Sequence, residues 1–284
     1  MKNIVCVLFF LLVCSLSVHA VAVTLDFEGA NFQDSFTRSN APPGEIRWNN
    51  IARLSGVSGE AGRIDLVATV SSGSTYNFGT VPPRNTNGPS TNPAVPAGAT
   101  LLKVEVGTNV SFDFNFFTGT GESVAVTTDI SFLDFDQTDR TSSGQGIVSE
   151  NLTFLGLNSS DVSTYTYATA NDLSINTSNP SQPIFSSVQE GSASDNPTDL
   201  SNLSVAEQQK IVEFNLVEVT GFTLNMAVGG TTPDNDARSF FIAGDIDFTV
   251  PTTTVTIPEP SSAAIFALAA IFLSLRRDRS RDHL

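Results

Sequence analysis

Residues 112–116 read Phe-Asp-Phe-Asn-Phe, with an aromatic side chain at every second position and a carboxylate or an amide between. A period of two is the period of a β-strand, whose successive side chains point to opposite faces. A run with Phe112, Phe114 and Phe116 on one side and Asp113 and Asn115 on the other predicts a strand with one buried and one solvated face. The same alternation recurs on both sides of it. Toward the N-terminus lie Val23/Leu25/Phe27, Ile64/Leu66/Ala68/Val70 and Leu102/Val104/Val106. Toward the C-terminus come Val124/Val126/Ile130/Phe132, Leu152/Phe154, Val212/Phe214/Leu216, Phe222/Leu224/Met226/Val228 and Phe240/Ile242/Ile246/Phe248. The pattern predicts an all-β protein, an antiparallel β-sandwich of jelly-roll-like character. Its 21 Phe against one Trp and three Tyr predict a core built on phenylalanine.

Helical signals are few. Ser204-Val205-Ala206-Glu207 has the form of a capping box and predicts a short helix before Val212 resumes the strand pattern. Residues 71–100 and 176–203 read as long loops, and 251–257 (PTTTVTI) as a polar stalk.

Composition excludes several chemistries. Cys6, Cys14 and His19 lie within the first 20 residues and His283 lies at the far end, so residues 21–257 contain no Cys and no His. Disulfide staples, thiol nucleophiles, histidine triads and Cys/His zinc sites are thereby excluded from that region. The same residues carry nine Lys+Arg against 26 Asp+Glu, a net charge of −17. Such a surface repels nucleic acid and anionic lipid, while tolerating divalent cations.

The two ends have a different texture. Lys2, an apolar run from Ile4 to Leu16 and Val18-His19-Ala20 form a secretory signal peptide, with cleavage by signal peptidase expected between Ala20 and Val21. At the other end, Pro258-Glu259-Pro260 is followed by an uncharged stretch from Ser261 to Leu275 and then by Arg276, Arg277, Arg279 and Arg281. The prolines fix an extended, accessible triplet. As a helix the uncharged stretch would span roughly 22 Å, short for a membrane core of about 30 Å. The arginines would hold its end in the cytoplasm. This tail resembles the PEP-CTERM sorting signal. The resemblance implies processing by the membrane transpeptidase exosortase, transient insertion in the inner membrane, and a link to exopolysaccharide or biofilm. The organisation expected is a signal peptide over 1–20, a sandwich over 21–250, the stalk over 251–257, and a sorting signal over 258–284 whose membrane helix, separate from the sandwich, occupies 261–275.

Asp134, Asp136 and Asp139 are the candidate metal ligands, as a calcium site. Counting by twos from Ile130 and Phe132 places Asp134 and Asp136 on the core face at the end of a strand, where carboxylates need a partner. Asp245 and Asp247, like Asp26, Glu28, Asp65 and Asp113, fall on solvent-facing positions, and Asp234-Asn235-Asp236 reads as a turn. Trp48, Tyr76, Tyr165 and Tyr167 are the aromatics available for stacking on sugars. Asn109, Asn151, Asn158, Asn176 and Asn202 begin Asn-x-Ser/Thr sequons, common by chance in so Ser/Thr-rich a chain. The expectation is a non-catalytic, exported adhesive or structural protein of the cell surface or extracellular matrix, with extracellular polysaccharide as a partner. The alternative is a carbohydrate-binding module or a carboxylate-dependent glycan hydrolase, chemistry that survives the loss of histidine.

Overall fold

Period-two alternation becomes two stacked sheets. In the computed structural model the described residues are 21–27, 31–34, 45–71, 95–141, 144, 146–157, 162–191, 196–231 and 237–257. The strands are β1 (Val21–Ala22), β2 (Asn31–Asp34), β3 (Glu45–Arg53), β4 (Arg63–Val70), β5 (Thr100–Glu105), β6 (Asn109–Thr118), β7 (Val126–Leu133) and β8 (Gln137–Arg140). They continue with β9 (Gly146–Leu157), β10 (Ser163–Ala168), β11 (Leu173–Asn176), β12 (Ile184–Ser187), β13 (Val212–Val219), β14 (Gly221–Val228), β15 (Ala237–Ala243) and β16 (Thr252–Ile257). One sheet has the order β16-β10-β13-β7-β15-β5, with β1 lying parallel to β7; the other runs β11-β12-β9-β14-β6-β4-β3-β2, with β8 on β9. Apart from β1 with β7, every paired strand is antiparallel. The chain changes sheet at each step from β4 through β7 and again from β12 through β15.

The stretch that set the expectation sits at the centre of the second sheet. In β6, Val110, Phe112, Phe114 and Phe116 are buried, and Ser111, Asp113 and Asn115 on the other face are half-buried. Rings fill the space between the sheets. Phe114 stacks on Phe222 at 4.8 Å and on Trp48 at 6.5 Å. Across the layers, Phe154 stacks on Phe214 at 5.1 Å and Phe185 meets Tyr165 edge-on at 5.1 Å. Burial of each such ring contributes about 1.5–3 kcal/mol, and each favourable ring pair about 0.5–1.5 kcal/mol more.

A second, smaller core covers part of the outer face of the first sheet. It gathers Ala99, Leu101, Leu133, Leu203, Ile211, Phe241, Ala243 and Ile246, with Phe248 against it. The series Phe240/Ile242/Ile246/Phe248 is therefore not one face. Phe240 and Ile242 enter the main core, β15 ends at Ala243, and Ile246 and Phe248 fold back over the outside. The short helix α1 (Val205–Gln208) borders this layer, and its expected capping box is present: Ser204 accepts from Glu207 N while Glu207 accepts from Ser204 N. Gln208 then pins the layer, donating to Leu203 O and Thr249 Oγ1 and accepting from Thr249 N.

The expected stalk is a strand. Residues 252–257 form β16, an edge strand paired with β10 from Thr252↔Ala168 to Ile257↔Ser163, with Ile257 buried. Threonine and valine are strong strand formers, and a half-buried edge needs few apolar residues. Part of the expected loop 176–203 is also strand: Phe185 of β12 is buried and pairs with Leu152 of β9. Among the described residues no helix is long and apolar enough to cross a membrane. Residues 261–275, expected to do so, lie outside them, as do residues 1–20.

Candidate functional site

Charged side chains gather where β7 leaves its sheet. Leu133 is the last strand residue, and Asp134 then takes a left-handed conformation at φ 68°, costly for a residue with a Cβ. The turn carries Phe135 into the main core and buries Asp136 beside Glu150 of β9. Glu150 Oε2 accepts from Asp136 N at 3.1 Å, and Glu150 N donates to Ser187 Oγ at 2.9 Å. Arg238, near the start of β15, donates through Nη2 to Asp136 Oδ1 at 2.7 Å and to Thr138 Oγ1 at 2.6 Å; its Nε lies 3.6 Å from Glu150 Oε1. The other oxygen of Asp136 lies so close to Gly191 that a Cβ there would overlap the carboxylate. Asp134, Asp136, Glu150 and Lys210 are all buried. Burial, and then the negative charge of Asp136, push the Glu150 carboxyl well above the ordinary range.

This arrangement revises the expected calcium site. Asp134 and Asp136 come to the same buried end of the sandwich, whereas Asp139 stands exposed on β8 and accepts from Thr141 N at 2.8 Å. That hydrogen bond holds its carboxyl below the usual range. Among the described residues no group of three or more Asp, Glu, His or Cys is placed to hold a metal ion. The positive charge beside Asp136 comes from Arg238 instead. The physical reason is the left-handed turn at Asp134: counting by twos assumed a continuous strand, and β8 restarts on the other sheet. Glu150 went unnoticed, although two steps back from Leu152 along the same alternation reaches it.

A second carboxyl lies on the outer face of the first sheet. Glu213 of β13 accepts through Oε2 from Ser131 Oγ at 3.0 Å and from Ile246 N at 2.8 Å. Burial under the 244–247 segment is the main cause that raises its pKa to about 7, with Asp129 and Asp245 adding negative potential. Asp245 and Asp247 are exposed as expected, although they follow β15 rather than lying within a strand.

Asp65 departs from expectation. It is 1% exposed and held by Arg63 Nε at 2.9 Å, Arg47 Nη1 at 3.4 Å and Asn50 N at 2.8 Å. It thereby fixes the irregular stretch of β3 between Trp48 and Ala52, where Asn50 has φ 62°. Asp113 is half-buried and accepts from Thr223 Oγ1 at 2.7 Å.

Of the candidate stacking aromatics, Trp48 and Tyr165 belong to the core and Tyr167 packs against it. Trp48 is fully buried and donates through Nε1 to Thr100 Oγ1 at 2.9 Å, joining the two sheets. Tyr165 is buried and Tyr167 half-buried beside it, their rings stacked at 6.2 Å. Tyr76, Glu28, Asn158 and the Asp234–Asp236 turn lie outside the described residues. So do Ala20, the triplet Pro258, Glu259 and Pro260, and the arginines Arg276, Arg277, Arg279 and Arg281. Val21 is the first residue of β1.

These features define an all-β protein of antiparallel sandwich architecture. No family model matches the chain, and no curated protein sequence does. Among solved structures it is similar to the adhesin domain of PrgB from Enterococcus faecalis, at 10% identity and a TM-score of 0.40 over 76% of this chain and 66% of that one. It is also similar to the N-terminal domain of the Streptococcus gordonii adhesin Sgo0707, at 7% identity and a TM-score of 0.35 over 80% of this chain and 55% of that one.

Proposed function

We propose that this chain is an exported cell-surface or extracellular-matrix protein with a non-catalytic adhesive or structural role. In this reading signal peptidase cuts after Ala20, and exosortase processes the tail at Pro258-Glu259-Pro260 after transient insertion of 261–275 in the inner membrane. Extracellular polysaccharide or biofilm matrix is the setting and partner. The observation that carries the reading is that every described strand lies between the two expected cuts. Among the described residues β1 is the first strand, from Val21, and β16 the last, to Ile257, so those cuts would leave all of them in one piece. The repeated changes of sheet support its jelly-roll-like character.

The carboxyls support a non-catalytic role. Glu150 and Glu213, whose proton affinity is raised as a general acid's would be, are both engaged in hydrogen bonds that hold strands and loops together. Intact-mass analysis of protein from its native host should show a species starting at Val21 and ending within 258–260. Pro258→Ala with Glu259→Ala should leave the protein in the inner-membrane fraction. A delivered wild-type species that retains Arg276–Arg281, or normal delivery of the double variant, refutes the sorting reading. Incubated with a panel of glycans, the protein should release no reducing ends. Release abolished by Glu213→Gln would establish the glycan-hydrolase alternative.

A further inference from the structure

β16 ends the first sheet, and among the described residues β10 is the only strand paired with it. Thr169 N donates to Pro251 O at 2.8 Å, which fixes the phase of the ladder between the two strands. In an antiparallel pair, positions that exchange hydrogen bonds alternate with positions whose backbone groups face the other way. The bonds to β10 are therefore made at Thr253, Val255 and Ile257, and the N–H and C=O groups of Thr252, Thr254 and Thr256 face the open edge. All three threonines are exposed. Sheet edges are ordinarily blunted by charge, by proline or by shortness. β5, at the other end of the same sheet, carries Lys103 and Glu105, and β2 and β11, at the ends of the second sheet, have four residues each. β16 has six residues and neither charge, proline nor bulge.

We propose that β16 is a dimerisation edge, pairing antiparallel with β16 of a second copy of this chain about a twofold axis at Thr254. The sequence of the strand selects a second copy as the occupant, because a twofold interface needs a strand that complements its own reverse. Residues 252–256 read Thr-Thr-Thr-Val-Thr forwards and Thr-Val-Thr-Thr-Thr backwards, a difference of one exchange between the β-branched residues Thr253 and Val255. With the axis at Thr254, that residue faces Thr254 of the second copy and Thr252 faces Thr256 of the second copy. Each facing pair exchanges both N–H···O bonds, so every edge-facing backbone group of the three threonines is used. An axis at Val255 sets Thr252 against Pro258, whose nitrogen carries no hydrogen, and an axis at Thr253 carries Thr256 past the start of β16. An axis between Thr254 and Val255 sets outward side chains against inward ones. The pairing at Thr254 also lays threonine against threonine on the outer face, beside the Thr166–Thr254 hydroxyl contact at 2.9 Å. Two copies of so negative a chain repel over most of their surface, but β10 and β16 contain no charged residue, and there the copies can meet.

The test is sedimentation equilibrium of the purified full chain over a range of concentrations, where wild type should show a monomer–dimer equilibrium. Thr254→Pro removes an N–H that faces the open edge and so spares the ladder to β10. It should raise the dimer dissociation constant at least about tenfold. Thr254→Lys sets like charges directly opposite one another and should weaken the dimer as well. Both variants should keep the circular-dichroism spectrum of a folded β protein. On mild oxidation, Thr254→Cys should give an interchain disulfide that peptide mapping places at position 254 of both copies, whereas Thr252→Cys should not link to itself. A wild type that stays monomeric overturns the proposal, as does a dimer that both Thr254→Pro and Thr254→Lys leave intact. Self-linkage of Thr252→Cys, with none at position 254, overturns the twofold axis at Thr254.

Discussion

Between the two sheets the same space is filled in two ways. At the centre, around Phe114, Trp48 and Phe222, rings stack on rings and the one polar hydrogen, on Trp48 Nε1, has its acceptor in Thr100. At the end where β7 leaves its sheet, Asp136, Glu150 and Arg238 are held by hydrogen bonds and charge. The centre is non-directional, and its strength follows the apolar area removed from water. The charged end is directional, and each group there is tolerable only while its partners remain. Removing a ring therefore leaves a hole, whereas removing an ion leaves an unmatched charge.

The sharpest way to break the comparison is at the centre. Phe114→Ala should destabilise the domain by about 3–5 kcal/mol, the range for deleting a fully buried aromatic side chain. Denaturant unfolding measures it, and the loss should be nearly the same at pH 5 and pH 8, because no ionisable group is involved. At the charged end, Arg238→Met should cost about 3 kcal/mol at pH 8, the lower part of the range for stripping a buried ion of its partner. That cost should shrink at pH 5, where protonation can relieve the abandoned Asp136. An equal loss at both pH values would show that Arg238 acts by packing alone.

The smallest effect is expected on the outer face of the first sheet, at Glu213. Its folded-state pKa of about 7 lies above the ordinary 4.5, so the folded protein binds the proton more tightly than the unfolded chain. Its contribution is fully present below about pH 4.5 and is lost as pH rises toward 7. Glu213→Gln, which keeps an acceptor for Ile246 N, should raise stability by about 1–3 kcal/mol at pH 8 and change little at pH 5. A melting-temperature series across pH 4–8 that runs parallel for the two proteins would contradict this.

The central strands were legible because their signal is local: Phe112, Phe114 and Phe116 state their face without reference to any other segment. The helix start at Ser204 was legible for the same reason. β16 was not, because Thr252–Thr254 look polar in isolation. Their place in a sheet depends on β10, which lies more than 80 residues away. Asp65 was misjudged because its outward position is solvated only if nothing covers it, and Arg47 and Arg63 reach it from either side. Glu213 owes its altered acidity to a segment more than 30 residues later that folds back over it. Of the expected metal ligands, the sequence located the buried pair but not the turn that separates Asp139 from it.

The junction at Ile257 also has a mechanical meaning. β16 runs to Ile257, so a pull applied to the chain at that residue is delivered to the strand itself. Tension along the strand is shared by six residue pairs, from Ser163–Ile257 to Ala168–Thr252, which must shear together. Tension across the strand would peel the pairs one at a time, and the first to go is Ile257, whose side chain must leave the core before anything else can move. A domain held at this point resists best when it is dragged lengthwise along β16.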